Sequence, residues 1–175
     1  MDGFNSSSIP LQEPKFYKTR AEIPEDNRIQ LVELLNQSLA DTIDLKSQIL
    51  QAIWHVRGIN FYQFYLLFGE MSDQLEAQSK LLIERISALA STPLVTIRIV
   101  AQYSQLSEFS FHATTTEEVL EALAQRVSLH GKFLRLGIIQ ATDLGDAATA
   151  RMYTKIACTV DQHLWLLESH CSTDT

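Results

Sequence analysis

Apolar residues recur at every third or fourth position over four long stretches of this chain, and nothing alternates with period two over a useful length. The first stretch opens at Pro24, where a missing N–H costs a helix nothing. Glu25 and Asp26 follow at the positive end of the helix dipole. Leu31, Leu35, Leu39 and Ile43 then repeat every four residues, and Leu50 and Ile53 continue the face to about Val56. "RGIN" reads as a tight link, with Gly58 in the left-handed position after the helix and Asn60 capping the next one. A second helix is expected from Phe61 to Leu89, with Phe61, Phe64, Leu67, Phe68, Met71, Leu75 and Leu82 on its apolar face. "ASTP" stops it at Pro93. Thr115 and Glu118 fit a capping box for a third long helix carrying Val119, Leu123, Val127, Leu134 and Ile138. Gly145 ends that helix and Asp146 caps a fourth, with Met152, Ile156, Val160, Leu164 and Leu167 as its stripe.

Between the second and third helices lies a connection of roughly two dozen residues, long enough to carry the chain to the other end of a bundle. Within it, "LVTIRIVAQY" fits a short extra helix. The expected fold is therefore all-α: a ferritin-like four-helix bundle with one long crossover. Residues 1–23, rich in Ser, Pro and polar side chains, are expected to be a flexible tail. Residues 24–171 form the bundle and 172–175 a short C-terminal tail.

Composition narrows the function. The 175 residues suffice for one domain with a substantial core. A net charge of -7 suits a cation-binding protein and opposes general binding to nucleic acid. Apolar runs are too short to span a bilayer, and "MDGFNSSSIP" lacks the apolar core of a secretory signal. Cys158 and Cys171 have no ligand-type spacing and read as reduced thiols of a cytoplasmic protein.

Three segments, in order, resemble the Dps family, the DNA-binding proteins from starved cells. "LVELLNQSLADTIDLKSQILQAIWHVRGINF" is similar to the family's first helix and turn, including Trp-x-x-[Lys/Arg]-Gly-x-x-Phe. "LLIERISALASTPLVTIRI" resembles the end of its second helix, and "DLGDAATARMYTKIACTVDQHLWLLES" its last helix. The resemblance implies a cytoplasmic homo-oligomer, usually a dodecameric cage. Such cages oxidise ferrous iron, often with peroxide, store it, and protect the cell against oxidative stress. It also implies a ferroxidase centre shared by two subunits. One subunit supplies a His from the first helix and a His and an Asp from the second; the other supplies an Asp and a Glu from the second helix.

Transferred position by position, that ligand set is mostly gone. The two histidines fall at Ile53 and Tyr65, and the two aspartates at Gly69 and Lys80. Glu84 alone is retained. Ile53 cannot bind metal, and Tyr65 can bind ferric iron only as a phenolate. Lys80 places a positive charge where a metal would need a ligand, and at i,i+4 it can pair with Glu84. The usual ferroxidase centre is thus expected to be absent. An alternative keeps oxidase activity in a rearranged site around Glu84 and Tyr65, with iron or another divalent metal.

The family's pore acids fare similarly. Asp146 matches one position, Ala147 and Ala148 follow, and Arg151 stands where Asp is common. Glu70, Asp73 and Glu76, at successive i+3 positions, fit either cavity acids or a solvated stripe. His55, beside Trp54, is not at a ligand position of the family and fits a surface or hydrogen-bonded role better than metal binding. His112, His130, His163 and His170 show no helical pair spacing for a metal. In the tail, Lys15, Lys18 and Arg20 are offset by Asp2, Glu13 and Glu22, which disfavours DNA compaction. Mixed cages with ligand-bearing subunits would fit the lost ligands.

Overall fold

The computed structural model describes residues 13–109 and 115–171. They form five helices: α1 (Glu25–Ile53), α2 (Phe61–Ala88), a short α3 (Ile97–Tyr103), α4 (Thr116–Asp143) and α5 (Ala147–Cys171). The four long helices make the expected bundle, and α3 is the extra helix of the crossover. α1 packs closely on α2 and α4 on α5, α1 joins the two hairpins through α4, and α2 meets α5 only briefly. No helix of the described residues is long and apolar enough to cross a membrane. Residues 1–12, 172–175 and His112 lie outside the described residues.

Local chemistry explains most helix ends. Thr115 and Glu118 form the capping box in both directions, satisfying two otherwise unpaired N–H groups. The α4 C-terminus closes with Gly145 at φ +77°, its N–H on Thr142 and that of Asp146 on Ala141, the 5→2 and 6→1 pattern of a Schellman motif. The α2 C-terminus repeats this pattern without a glycine. Ala90 sits at φ +60°, bonding to Ser87, and Ser91 bonds to Ile86. α1 ends at Ile53 rather than near Val56, because the N–H groups of Trp54, His55 and Val56 turn back onto the carbonyls of Gln51 and Ala52. Asn60 does not cap α2 with its side chain. Its backbone, at φ -92° and ψ 6°, is already near-helical, whereas a side-chain cap needs the extended conformation that Thr115 adopts.

The apolar stripes meet in one core that includes Leu31, Leu35, Leu39, Phe68, Leu75, Leu82, Val127 and Val160. Tyr153 is fully buried there, its hydroxyl 2.9 Å from Ser38 Oγ. Gly137 lies against the ring, where an added Cβ would come within 3.1 Å.

A second stripe on α1 is polar and clamps the crossover. Asn36 Oδ1 accepts from the Leu94 N–H at 2.9 Å, and Gln37 donates to the Tyr103 carbonyl at 2.6 Å. Asp41 accepts from the Gln105 N–H at 2.7 Å, Asp44 from the Ser104 hydroxyl at 2.5 Å, and Gln48 donates to the Ser107 carbonyl at 3.1 Å. These bonds satisfy backbone groups that an irregular segment cannot pair internally. At the other end, the segment expected as a tail is pinned in part. Tyr17 N–H bonds to the Ala90 carbonyl at 2.8 Å and Thr92 N–H to the Lys15 carbonyl at 3.1 Å.

Candidate metal centre and subunit face

The positions singled out by sequence divide between core and surface. Ile53 is 6% exposed and belongs to the core, not to a solvent-facing site. Tyr65, Gly69, Asp73, Glu76, Lys80 and Glu84 are spaced by three and four residues, so they lie along one outward stripe of α2. The first half of the stripe is aromatic and apolar. Tyr62 and Leu66 are exposed beside Tyr65, and the rings of Tyr62 and Tyr65 are near-parallel at 6.5 Å. Trp54 and Ile59, in the adjoining turn, are 65% and 99% exposed. The second half is charged. Lys80 Nζ stands 3.9 Å from Glu84 Oε1, with both side chains largely exposed. At that distance and exposure the pair contributes little to stability, but it does supply Glu84 with a cation.

Gly69 has neither a positive φ nor a close neighbour, and a Cβ there meets nothing within 4 Å. Nothing inside the subunit therefore requires glycine. Of the three acidic residues, Glu76 is paired with Lys46 at 2.5 Å, Glu70 accepts from the Gln74 amide at 3.2 Å, and Asp73 is exposed. Among the described residues of one chain, no three His, Cys, Asp or Glu side chains converge as a metal cluster.

Asp146 has a different task from attracting cations. It is 3% exposed and caps α5, accepting from the N–H groups of Ala148 and Thr149 at 3.1 Å. Its other oxygen meets Arg85 at 2.5 Å and the Thr149 hydroxyl. Burial works against the charge, but the Arg85 and Thr149 hydrogen bonds outweigh it and hold the carboxyl below the usual aspartate range. Arg151 is exposed one turn further along α5. The Arg85–Asp146 bond ties the end of α2 to the start of α5, a coupling invisible in the sequence because its partners are 61 residues apart.

Sequence spacing also missed the buried histidines. His130 on α4 and His163 on α5 are 1% and 2% exposed and lie near each other inside one subunit. They sit on different helices, so no i,i+4 signal could have shown them.

Four long helices and one long crossover define a ferritin-like bundle. The Ferritin family, described as a ferritin-like domain, matches residues 32–175. The DNA protection during starvation protein of Agrobacterium fabrum is 28% identical over 156 residues, covering 89% of this chain and 96% of that protein. Dps from Staphylococcus aureus superposes with a TM-score of 0.77 at 26% identity, over 82% of this chain and 96% of that one. DpsC from Streptomyces coelicolor gives 0.86 at 20% identity over 95% and 98%, which speaks for the fold alone. The chain belongs to the Dps family of the ferritin-like superfamily.

Proposed function

We propose that the protein is a subunit of a Dps-type cage, usually a dodecamer, that stores iron or another metal and protects against oxidative stress without the usual intersubunit ferroxidase centre. The observation that carries this reading is the α2 stripe. Its ligand positions hold an aromatic ring at Tyr65, no side chain at Gly69, and a cation at Lys80 beside the retained Glu84. In an antiparallel pairing of two α2 helices, Tyr65 and Gly69 of one subunit face Lys80 and Glu84 of the other. The ammonium then supplies the positive charge that a metal ion would bring, and the Tyr62–Tyr65–Leu66 surface supplies apolar contact.

Iron is cargo in this reading. The bundle spans residues 24–171, and the cage is cytoplasmic. Mixed cages with ligand-bearing subunits follow naturally, since Glu84 remains available to complete a neighbour's site. DNA compaction is not favoured at a net charge of -7, where Lys15 lies over the Tyr17 ring and its backbone is bonded to Thr92.

A rearranged oxidase is the second reading, supported by the exposure of both Tyr65 and Glu84 on one stripe. Stopped-flow oxidation of ferrous iron by peroxide, on purified iron-free cages, separates the two. We expect slow oxidation with no burst. A rapid phase saturating at a fixed iron-to-subunit ratio would replace the first reading with the second.

A further inference from the structure

The bundle core holds polar atoms that the surface stripe does not explain. Both ring nitrogens of His130, Nδ1 of His163, and the amide oxygen and nitrogen of Gln78 are buried without a hydrogen-bond partner. Buried groups of this kind are costly unless something pairs with them. α4 and α5 are in close register at this level, since a Cβ on Gly131 would meet Val160 Cγ1 at 3.5 Å. His130 directly precedes Gly131, and His163 lies one turn beyond Val160, so the two histidines sit at this level of the α4–α5 contact.

The protonation of His163 follows from its neighbours. Gln74 Nε2 donates to Glu70 Oε1 at 3.2 Å, and a carboxylate can only accept, which fixes the amide's orientation. Gln74 Oε1 therefore faces His163 Nε2, at 2.6 Å, and must accept a proton from it. Burial disfavours the charged form of both imidazoles. With the proton on Nε2, Nδ1 of His163 is a bare lone pair inside the core. A histidine whose outer nitrogen is anchored to an acceptor, leaving the inner one bare, is the arrangement found at metal-ligating histidines.

We propose that His163 Nδ1 and a ring nitrogen of His130 bind a late first-row divalent ion, zinc being the type, between α4 and α5. Neutral imidazoles suit such an ion, while hard cations need the oxyanions this pair lacks. Gln78, one turn beyond Gln74 on the same face of α2, offers a third donor oxygen, and solvent completes the shell. A groove of about 240 Å³ between α2 and α5 is lined by Gln74, Gln78 and Thr159, on the α2 side of His163. The Glu70–Gln74 pair acts as a positioning relay through His163. This site lies within one subunit and does not depend on the surface stripe or on iron oxidation.

The test uses assembled cages stripped of metal by chelator, titrated with zinc by calorimetry and with cobalt by visible absorption. One tight ion per subunit is expected, with the strong bands of low-coordinate cobalt. That ion is lost in His163→Leu and in His130→Leu, and is unaffected in Glu84→Gln. Gln74→Leu keeps the ion but weakens it about 10–100-fold. Tight binding that survives both histidine substitutions, or no tight binding, overturns the proposal. If the leucine variants do not assemble, a zinc-soaked crystal of the unaltered protein decides. An anomalous peak between the two imidazoles supports the site, and ordered water alone there refutes it.

Discussion

Gly137 and Tyr153 show how one missing methyl sets the packing between α4 and α5. An alanine Cβ would lie 3.1–3.2 Å from three carbons of a ring that is fully buried and held by Ser38. The ring cannot retreat, so Gly137→Ala is expected to cost about 1–3 kcal/mol, read as a lower urea midpoint with unchanged slope. Asp146 is the second such residue. Asp146→Ala removes the α5 cap and leaves Arg85 without its carboxylate, at a cost of about 2–4 kcal/mol, discounted because Arg85 is partly solvated. Its pH signature has a definite sign. The folded carboxyl is held below its ordinary range, so the unfolded chain takes up the proton first as pH falls. The stabilisation is complete above about pH 4 and fades below it. Urea unfolding across that range should show a flatter acid limb for Asp146→Asn than for the unaltered protein.

Helix ends offer an internal comparison, because α2 and α4 close with the same motif on different residues. Gly145 accepts the left-handed conformation without strain, while Ala90 holds it with a Cβ. Ala90→Gly should therefore stabilise the protein by about 0.5–1 kcal/mol, and Gly145→Ala should destabilise it by about 1 kcal/mol. Thermal unfolding of the two variants checks the opposite signs. The capping box and the glycine stop were legible in the sequence because each is a contact between residues three or four apart. The Ala90 cap was not, since alanine carries no left-handed signal. The polar clamp of α1 on the crossover was equally hidden. Asn36, Gln37, Asp41, Asp44 and Gln48 read as an ordinary solvated face until the backbone of residues 94–107 is laid over them.

For the whole molecule, the exposed apolar surface at the α1–α2 turn is the feature most in need of a partner. Trp54, Ile59, Tyr62, Tyr65 and Leu66 together form the kind of patch that marks an association face. Leu66→Glu, on the outer edge of this patch, places a charge in it without touching the core. It is expected to shift the protein from cage to smaller species by light scattering while helical content stays the same. An unchanged cage would remove this face from the assembly.

The periodicity of apolar residues, the breakers at Pro93 and Gly145 and the Thr115 box were sufficient to specify four helices, their order and the crossover. Each is written locally, within the reach of one or two helical turns. The proposed loss of ligands at Ile53, Tyr65, Gly69 and Lys80 is likewise read from the linear chain, by laying the family's ligand pattern on it. Folding separated them, sending Ile53 to the core and the rest to one outward stripe of α2. It also withdrew Asp146 from solvent and brought His130 to His163. These outcomes depend on which helices face each other, and pairings between side chains far apart along the chain leave no trace in its spacing.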